Sequence, residues 1–181
     1  MEKYEEYLLL IKDKYEFLEL IASGTFGHVF KVKQINTGQI FAVKLLTNIF
    51  KDKYQARKVL SEIKILRELS DLKDNVFTTK VHEIILPEDL NPSSDNPIDY
   101  IFIVMDYIQH NMSHVLYGER TFLDDEHVIT LMYNMLCSLN YFHSAGLMHR
   151  DIKPENILVT DESLTIICDF GLSRPCLEDS F

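Results

Sequence analysis

Cysteine is scarce in this sequence, and long apolar runs and an excess of positive charge are missing altogether. The three cysteines, Cys137, Cys168 and Cys176, form no C-x-x-C pair, and their odd number favours a reducing compartment. No apolar run approaches the roughly 20 residues that a membrane-spanning helix needs, and the charged start, M-E-K-Y-E-E-Y, is unlike a signal peptide. We therefore expect an intracellular protein of the cytoplasm, the nucleus or both, without a membrane partner.

The charge balance is acidic. Lys and Arg number 18 against 28 Asp and Glu, so the formal net charge is −10. A nucleic-acid-binding protein normally presents a basic face, so we expect no nucleic-acid partner. Hydrophobic residues make up 46% and charged residues 25%, which is typical of a globular domain.

Hydrophobic periodicity divides the chain into two regions. The first has strand-like runs, and between the third and fourth runs residues 54–69 change to a helical period, with Val59, Ile63 and Leu66 on one face. The five predicted strands are 15–22, 28–34, 39–46, 81–86 and 100–106. They fit a five-stranded antiparallel unit with one helix. Residues 1–14 form either a short amphipathic helix or a frayed lead-in.

The second region is mainly helical. A helix is predicted from Asp124, a good N-cap, to Gly146, which ends it. Two short strands follow, near 157–160 and 165–169. The predicted fold class is therefore α+β, with a boundary between the two regions near 107–112.

A glycine-containing turn, I-A-S-G-T-F-G-H-V, occupies residues 21–29. Glycines let a backbone approach phosphate oxygens and offer N–H groups to them. The alternative is an ordinary hairpin turn. A strand follows where a dinucleotide-binding fingerprint needs a helix, so that class of site is excluded.

Two charged residues that follow the glycine turn in the sequence have two interpretations each. Lys44 lies on the third strand and is either a solvated surface charge or a phosphate ligand. Glu62, in the predicted helix, is either an exposed i,i+4 partner of Lys58 or an ion-pair partner that holds Lys44.

The most specific pattern is H-R-D-I-K-P-E-N at 149–156, followed by D-F-G at 169–171. Phosphoryl transfer needs a carboxylate to orient the attacking hydroxyl, oxygen ligands for Mg²⁺, and cations that offset phosphate charge. This stretch supplies all three, downstream of the glycine turn and of the Lys–Glu pair.

With these motifs in order, the sequence resembles the eukaryotic protein kinases of the Ser/Thr type. It is most similar to the mitogen-activated protein kinases, through S-E-I-K-I-L-R-E-L (61–69), L-N-Y-F-H-S-A-G-L-M-H-R-D-I-K-P-E-N-I-L (139–158) and I-C-D-F-G-L-S-R (167–174). The resemblance implies a bilobal fold: an extension at 1–14, an N-lobe at 15–107, and a partial C-lobe at 108–181 that ends inside the activation segment.

The resemblance also implies catalytic roles. Asp151 would be the base for the substrate hydroxyl, and Lys153 would contact the γ-phosphate. Lys44, fixed by Glu62, would hold the α- and β-phosphates of ATP. The implied Mg²⁺ ligands are Asn156 and Asp169.

ATP binding is implied for a larger set. Met105 would be the gatekeeper, and backbone groups of Asp106 and Ile108 would bind the adenine edge. The implied ATP-contacting residues are Ile21, Ala22, Ser23, Gly24, Thr25, Phe26, Gly27, Val29, Ala42, Lys44, Met105, Asp106, Ile108 and Leu158. An apolar spine would contain Leu66, Val81, His149 and Phe170, and the alternative is that these are ordinary core residues.

Control by an upstream activating kinase is implied by Arg150, which would pair with a phosphate on the activation segment. The pattern departs from the family at Ala22, which replaces the first glycine of the loop. The sequence also reaches Phe181 without an A-P-E motif or a Thr-x-Tyr pair.

We therefore expect a protein Ser/Thr kinase that acts on protein substrates, with little activity in these 181 residues alone. The alternative is a non-catalytic short product that binds a nucleotide or a partner.

Overall fold

The computed structural model describes residues 4–24, 27–49, 53–72, 75–87, 100–118 and 123–175. They form two compact units, Met1–Val59 with Lys80–Tyr107, and Leu60–Thr79 with Ile108–Phe181. The N-lobe predicted from the sequence, 15–107, includes residues 60–79, which belong to the second unit in the structure. The difference has a cause in the backbone: the Ile167 N–H donates to Phe77 O at 2.8 Å, and Thr78 bridges Ile167. The lobe boundaries stay a prediction.

The first unit contains the predicted five-stranded sheet. Its strands are β1 (Tyr15–Gly24), β2 (Gly27–Gln34), β3 (Ile40–Thr47), β4 (Val81–Ile85) and β5 (Tyr100–Asp106). The spatial order is β1-β2-β3-β5-β4, and every pairing is antiparallel. The expected α+β fold with an antiparallel N-terminal sheet is thus confirmed.

One face of this sheet forms an apolar core. Its buried residues are Phe30, Val32, Phe41, Val43, Leu45, Phe102 and Val104. The N-terminal segment packs on this cluster: helix α1 (Glu5–Leu8) is followed by the buried side chains of Ile11 and Tyr15. The segment therefore adds Ile11 to the core of the first unit and covers it with the partly buried Tyr4, Tyr7 and Leu8, which removes an apolar face of the sheet from water.

Tyr15 and its neighbour anchor that segment to β4. The Tyr15 hydroxyl donates to Glu83 Oε2 at 2.9 Å, and Lys14 Nζ lies 2.6 Å from the same oxygen. Burial, with the Glu83 carboxylate beside it, raises the pKa of Tyr15 to about 12. The phenol therefore stays a hydrogen-bond donor at physiological pH.

Helix α2 (Lys53–Ser70) matches the predicted helix closely. Its buried residues are Glu62, Leu66 and Leu69, so a carboxylate lies in the stripe that the apolar pattern had assigned to Val59, Ile63 and Leu66. The spacing of apolar residues could not predict a buried Glu62, because that pattern assigns charged residues to the exposed face of a helix.

The second unit combines helices with short strands. In chain order its remaining elements are β6 (His110–Asn111), α3 (Met112–Tyr117), α4 (Asp125–Ser144), β7 (Leu147–Met148), a 3₁₀ turn (Pro154–Asn156), β8 (Ile157–Val159), β9 (Thr165–Ile167) and β10 (Arg174–Pro175). Asp124 caps α4 by accepting from the His127 N–H at 2.9 Å, and Gly146 follows the helix with φ +65°. The predicted strand to residue 169 was too long, because Asp169 has φ +64° and leaves the extended conformation.

Helix α4 presents a set of exposed apolar side chains. They are Val128, Ile129, Met132, Tyr133 and Leu136, with exposed fractions from 44% to 68%. Leu131 and Phe142, by contrast, are buried. None of the helices in the described ranges has the length and apolar character required to cross a bilayer.

Candidate active site

The glycine turn joins β1 to β2. Gly24 and Gly27 are its last paired residues, and the predicted ligands Thr25 and Phe26 lie outside the described residues. Gly27 has φ +119°, and a Cβ atom there would lie 2.1 Å from Leu45 O. Gly24 has open space around it. Gly27 is therefore required by the packing of β2 on β3, whether or not a phosphate binds.

The strand register places several predicted ATP residues on one face of the sheet. Val29 pairs with Lys44, and Ala42 pairs with Met105. Paired residues, and residues two apart along a strand, share a face. Ala22, the partner of Val29, joins them, whereas Ile21 lies at a register shift. This face is opposite to the apolar core.

Lys44 lies within this face with only 7% of its surface exposed. The interpretation of Lys44 as a solvated surface charge is therefore wrong. A buried ammonium group is stable only with partners that compensate for its lost hydration, so the surroundings of Lys44 must supply such partners.

Asp106 ends β5, and its carboxylate is already engaged. Oδ2 accepts from the Lys80 N–H at 3.0 Å, and Oδ1 lies 2.6 Å from His82 Nε2. The Asp106 N–H donates to Lys80 O at 3.1 Å. Of the Asp106 groups expected at the adenine edge, the carbonyl oxygen is therefore the one suited to contact a ligand.

In the second unit, the 149–156 loop gathers its polar groups around Asp151. Lys153 Nζ lies 3.0 Å from Asp151 Oδ2. Asn156 Nδ2 donates at 2.9 Å to this oxygen and at 2.9 Å to the Asp151 carbonyl. The hydrogen bond to Asp151 raises the pKa of the Lys153 ammonium, which therefore stays charged.

His149 connects this loop to the residue before D-F-G. Its Nδ1 accepts from the Asp151 N–H at 3.3 Å, and its Nε2 lies 3.0 Å from Cys168 O. An acceptor at Nδ1 and a donor at Nε2 define the neutral Nε2–H tautomer. Burial lowers the pKa of His149 below its ordinary value, which favours this neutral form.

Two backbone positions near Asp151 are left-handed. Arg150 has φ +67° and Asp169 has φ +64°. Side chains other than glycine adopt this conformation at a cost, and such residues concentrate at functional sites. The Cys168 N–H donates to Asn156 O at 3.0 Å, so the loop and the D-F-G segment are joined next to both positions.

Glu62 approaches D-F-G from α2. Its Oε2 and Asp169 Oδ1 both lie 3.5 Å from the point where a Cβ on Gly171 would be. Glu62 is 3% exposed, so the interpretation as an exposed partner of Lys58 is wrong. Two carboxylates converging in a buried region create a potential that favours a cation.

The donor set suits Mg²⁺. Within the described ranges no cluster of three or more His, Cys, Asp or Glu side chains could hold a metal ion. Mg²⁺ is usually bound by one or two carboxylates together with substrate phosphates and water. The oxygens of Asn156 and Asp169 fit such a partial set.

The remaining predicted residues have fixed positions within their own units. Phe170 is fully buried, with ring centroids 5.1 Å from His149 and 5.5 Å from Phe142. Leu158 lies on β8, Ile108 is half-buried after β5, and Val81 begins β4 in the first unit. The sequence analysis missed Ser173, whose buried hydroxyl donates to His149 O at 3.2 Å. No residue pattern signalled that contact.

Comparison with known proteins adds the family. The model of the protein kinase domain family matches residues 15–180. Mitogen-activated protein kinase 11 of Oryza sativa subsp. japonica is 35% identical over 168 residues, covering 93% of this chain and 28% of that protein. Mitogen-activated protein kinase p38a of Drosophila melanogaster is 32% identical over 165 residues, with 91% and 43% covered. Mitogen-activated protein kinase mpkA of Aspergillus fumigatus (strain Af293) is 29% identical over 165 residues, with 91% and 37% covered.

The chain thus spans less than half the length of these curated relatives. The resemblance based on the H-R-D and D-F-G motifs is confirmed, and ATP with Mg²⁺ is the donor and metal that this family uses. Since the family model covers nearly the whole sequence, this chain belongs to the protein kinase family and is similar to its mitogen-activated members.

Proposed function

We propose that this protein transfers the γ-phosphate of ATP to Ser and Thr hydroxyls of protein substrates, as a kinase like the mitogen-activated family. The single observation that carries the proposal is the arrangement around Asp151. Lys153 and Asn156 both donate to its Oδ2, and His149 holds its backbone N–H. A carboxylate fixed in this way is suited to orient an attacking hydroxyl.

The hydrogen bonds of Asp151 support different tasks for its two carboxylate oxygens. Within the described part of the chain, the donors to this carboxylate both reach Oδ2. Oδ1 would then be the acceptor for a substrate hydroxyl proton. The adjacent Lys153 would neutralise charge on the γ-phosphate, and a lysine at this position is the pattern of Ser/Thr kinases.

Lys44 and Glu62 would hold the α- and β-phosphates together, with Glu62 fixing the ammonium. The burial of each side chain supports this role, because buried charges need compensating partners. The ion pair itself is part of the proposal.

Asn156 and Asp169 would hold Mg²⁺, which would offset the negative charge on the phosphates. On the first unit, the face that carries Val29, Ala42 and Met105 would contact the adenine. The Asp106 carbonyl would accept from its amino group. The glycine turn would close over the phosphates.

An upstream kinase would control the activity through Arg150. The exposed Arg150 side chain donates through Nε to Leu172 O at 2.8 Å. Its terminal N–H groups are suited to a phosphate on the activation segment, since guanidinium groups bind phosphate with paired hydrogen bonds. We place the protein inside the cell, in the cytoplasm, the nucleus or both.

The test uses the natural full-length protein with Mg-ATP and a generic basic protein as substrate. Asp151→Asn is expected to lower kcat by about 10²- to 10⁴-fold, because the general base is lost. Glu162→Gln, on the exposed turn between β8 and β9, is the matched control and should keep the wild-type rate. Phosphoamino-acid analysis should find phosphoserine and phosphothreonine. An unchanged rate for Asp151→Asn would contradict the assignment.

The 181-residue chain alone is proposed to transfer phosphate poorly. The exposed apolar side chains of α4 support this, because a surface of that kind favours association over function. The same assay separates the candidates. Mg-ATP binding without transfer would favour the non-catalytic module, and robust transfer that is lost in Asp151→Asn would contradict poor activity.

A further inference from the structure

The glycine turn has a closing contact at its base. Ser23 on β1 and His28 on β2 are direct partners, one pair before Gly24 and Gly27. Ser23 Oγ and His28 Nδ1 lie 3.0 Å apart. This side-chain pair is the last that can cross-link the two strands before the glycines.

The ring of His28 is in turn packed by the N-terminal segment. The Tyr4 ring centroid lies 5.1 Å from that of His28 and 5.3 Å from that of Phe30. His28 and Phe30 are stacked at 6.1 Å with an interplanar angle of 27°, and Phe30 is fully buried. The orientation of His28 is thus set between a core residue and Tyr4.

Tyr4 is itself held by backbone contacts. Its carbonyl accepts from the N–H groups of Tyr7 at 3.1 Å and Leu8 at 3.2 Å, at the start of α1. Tyr7 and Leu8 pack on the same core cluster as Phe30. The N-terminal segment therefore connects the core of the first unit to the base of the glycine turn.

This contact lies on the face of the sheet away from the proposed adenine. His28 and Phe30 alternate with Val29 along β2, so His28 shares the core face. Ser23, which the family resemblance placed among the ATP contacts, directs its hydroxyl to His28. An effect of these residues on nucleotide binding would therefore act through the backbone of the turn.

We propose that Tyr4, His28 and Ser23 are positioning residues for ATP, through which the N-terminal segment orders the glycine turn. The inference rests on the proposed kinase function. Glycine gives a chain many accessible conformations, and ordering them costs binding free energy. Fixing the residues that flank the turn lowers this cost before the ligand arrives.

The chain offers a matched pair for the test. Tyr4 and Tyr7 are both half-buried and pack on the same core, but the ring partner of Tyr7 is Tyr100, at 5.5 Å, on β5. Tyr4→Ala and Tyr7→Ala should therefore destabilise the full chain similarly. The dissociation constant for Mg-ATP, measured by titration calorimetry, should rise about 2- to 10-fold in Tyr4→Ala, as expected for the loss of aromatic pairs. Tyr7→Ala should bind like the wild type.

Four further single variants and one double variant sharpen the result. Tyr4→Phe keeps the ring and should restore wild-type affinity, whereas Tyr4→Leu keeps apolar volume and should not. His28→Ala and Ser23→Ala should each weaken Mg-ATP binding, and the double variant should be no weaker than the worse single one, because both remove one contact.

Hydrogen exchange without nucleotide provides an independent measurement. Peptides spanning residues 20–30 should exchange faster in Tyr4→Ala than in Tyr7→Ala. Equal exchange and equal Mg-ATP affinity in these two variants would overturn the inference. A wild-type protein that binds no Mg-ATP would overturn the proposed function instead, and the exchange comparison would still decide whether Tyr4 orders the turn.

Discussion

Asn156 donates hydrogen bonds from Nδ2 to both the carbonyl oxygen and Oδ2 of Asp151, each at 2.9 Å. Asn156 is 6% exposed and lies in the 3₁₀ turn, so water cannot easily replace it. One side chain thereby fixes the main chain and the carboxylate of the proposed base at once. Its remaining amide oxygen, Oδ1, is the atom suited to a metal ion.

Asn156→Ala is expected to reduce the free energy of unfolding by about 1–3 kcal/mol, because it removes the two hydrogen bonds that the buried Asn156 side chain donates to Asp151. It should also raise the Mg²⁺ concentration needed for half-maximal activity of the full-length protein. Asn134→Ala is the control, since Asn134 donates to Ser163 O at 2.9 Å, outside the 149–156 loop. That control should affect stability without changing the Mg²⁺ dependence. The same Mg²⁺ dependence in both variants would remove Asn156 from the metal site.

Gly27→Ala should destabilise the first unit strongly. The new Cβ would lie 2.1 Å from Leu45 O, at φ +119°. The backbone conformation alone costs about 1–3 kcal/mol, and the clash adds to it. Gly24→Ala has open space and should be tolerated. Urea unfolding of the two variants checks this, and equal midpoints would show that the contact with β3 is not restrictive.

His149 should make stability depend on pH. Burial lowers its pKa below the ordinary value of 6.5, against the smaller opposing effect of the Cys168 carbonyl and the nearby carboxylates. As the pH falls below about 6.5, His149 binds a proton in the unfolded chain but not yet in the folded chain. The contribution of His149 to stability is therefore lost progressively between about pH 6.5 and its lowered folded-state pKa. The contribution is fully present above that range.

The comparison uses His149→Gln, which does not titrate. Unfolding free energies measured between pH 8 and pH 5 should fall more steeply in the wild type than in His149→Gln. Parallel curves would mean that His149 titrates alike in the folded and unfolded chains.

The exposed apolar side chains of α4 should cause self-association of the isolated chain. Ile129→Lys combined with Leu136→Lys should lower the sedimentation-average mass at high concentration and leave the fold intact, because these residues are 68% and 58% exposed. Leu131→Lys, at a buried position of the same helix, should unfold the second unit instead. Unchanged self-association of the double variant would show that this surface does not mediate the association.

The order of elements was largely readable from residue patterns. Short runs of apolar and β-branched residues predicted all five strands of the first unit, and the helical period predicted α2 and α4. The capping residue Asp124 and the terminator Gly146 were correct because their roles depend on local backbone geometry. The short elements β6, α3, β7 and β10 carried too few residues for any period to appear.

Part of the candidate site could also be predicted from the sequence, and part required the structure. Its residue types were set by contiguous motifs, and the family match confirms the class of protein to which those motifs belong. The bonds from Asn156 and Lys153 to one Asp151 oxygen, and the neutral His149, depend on distances that no motif encodes.

The strands, the long helices and the catalytic motifs could therefore be predicted from the sequence, because each depends on neighbours within a few residues. Burial and partner choice needed the folded chain. The packing of residues 4–14 on the sheet, the buried Glu62 in α2 and the contact of Tyr4 with His28 join segments far apart in sequence. Such contacts are selected by the removal of apolar surface and by the pairing of buried charge, which are properties of the assembled core.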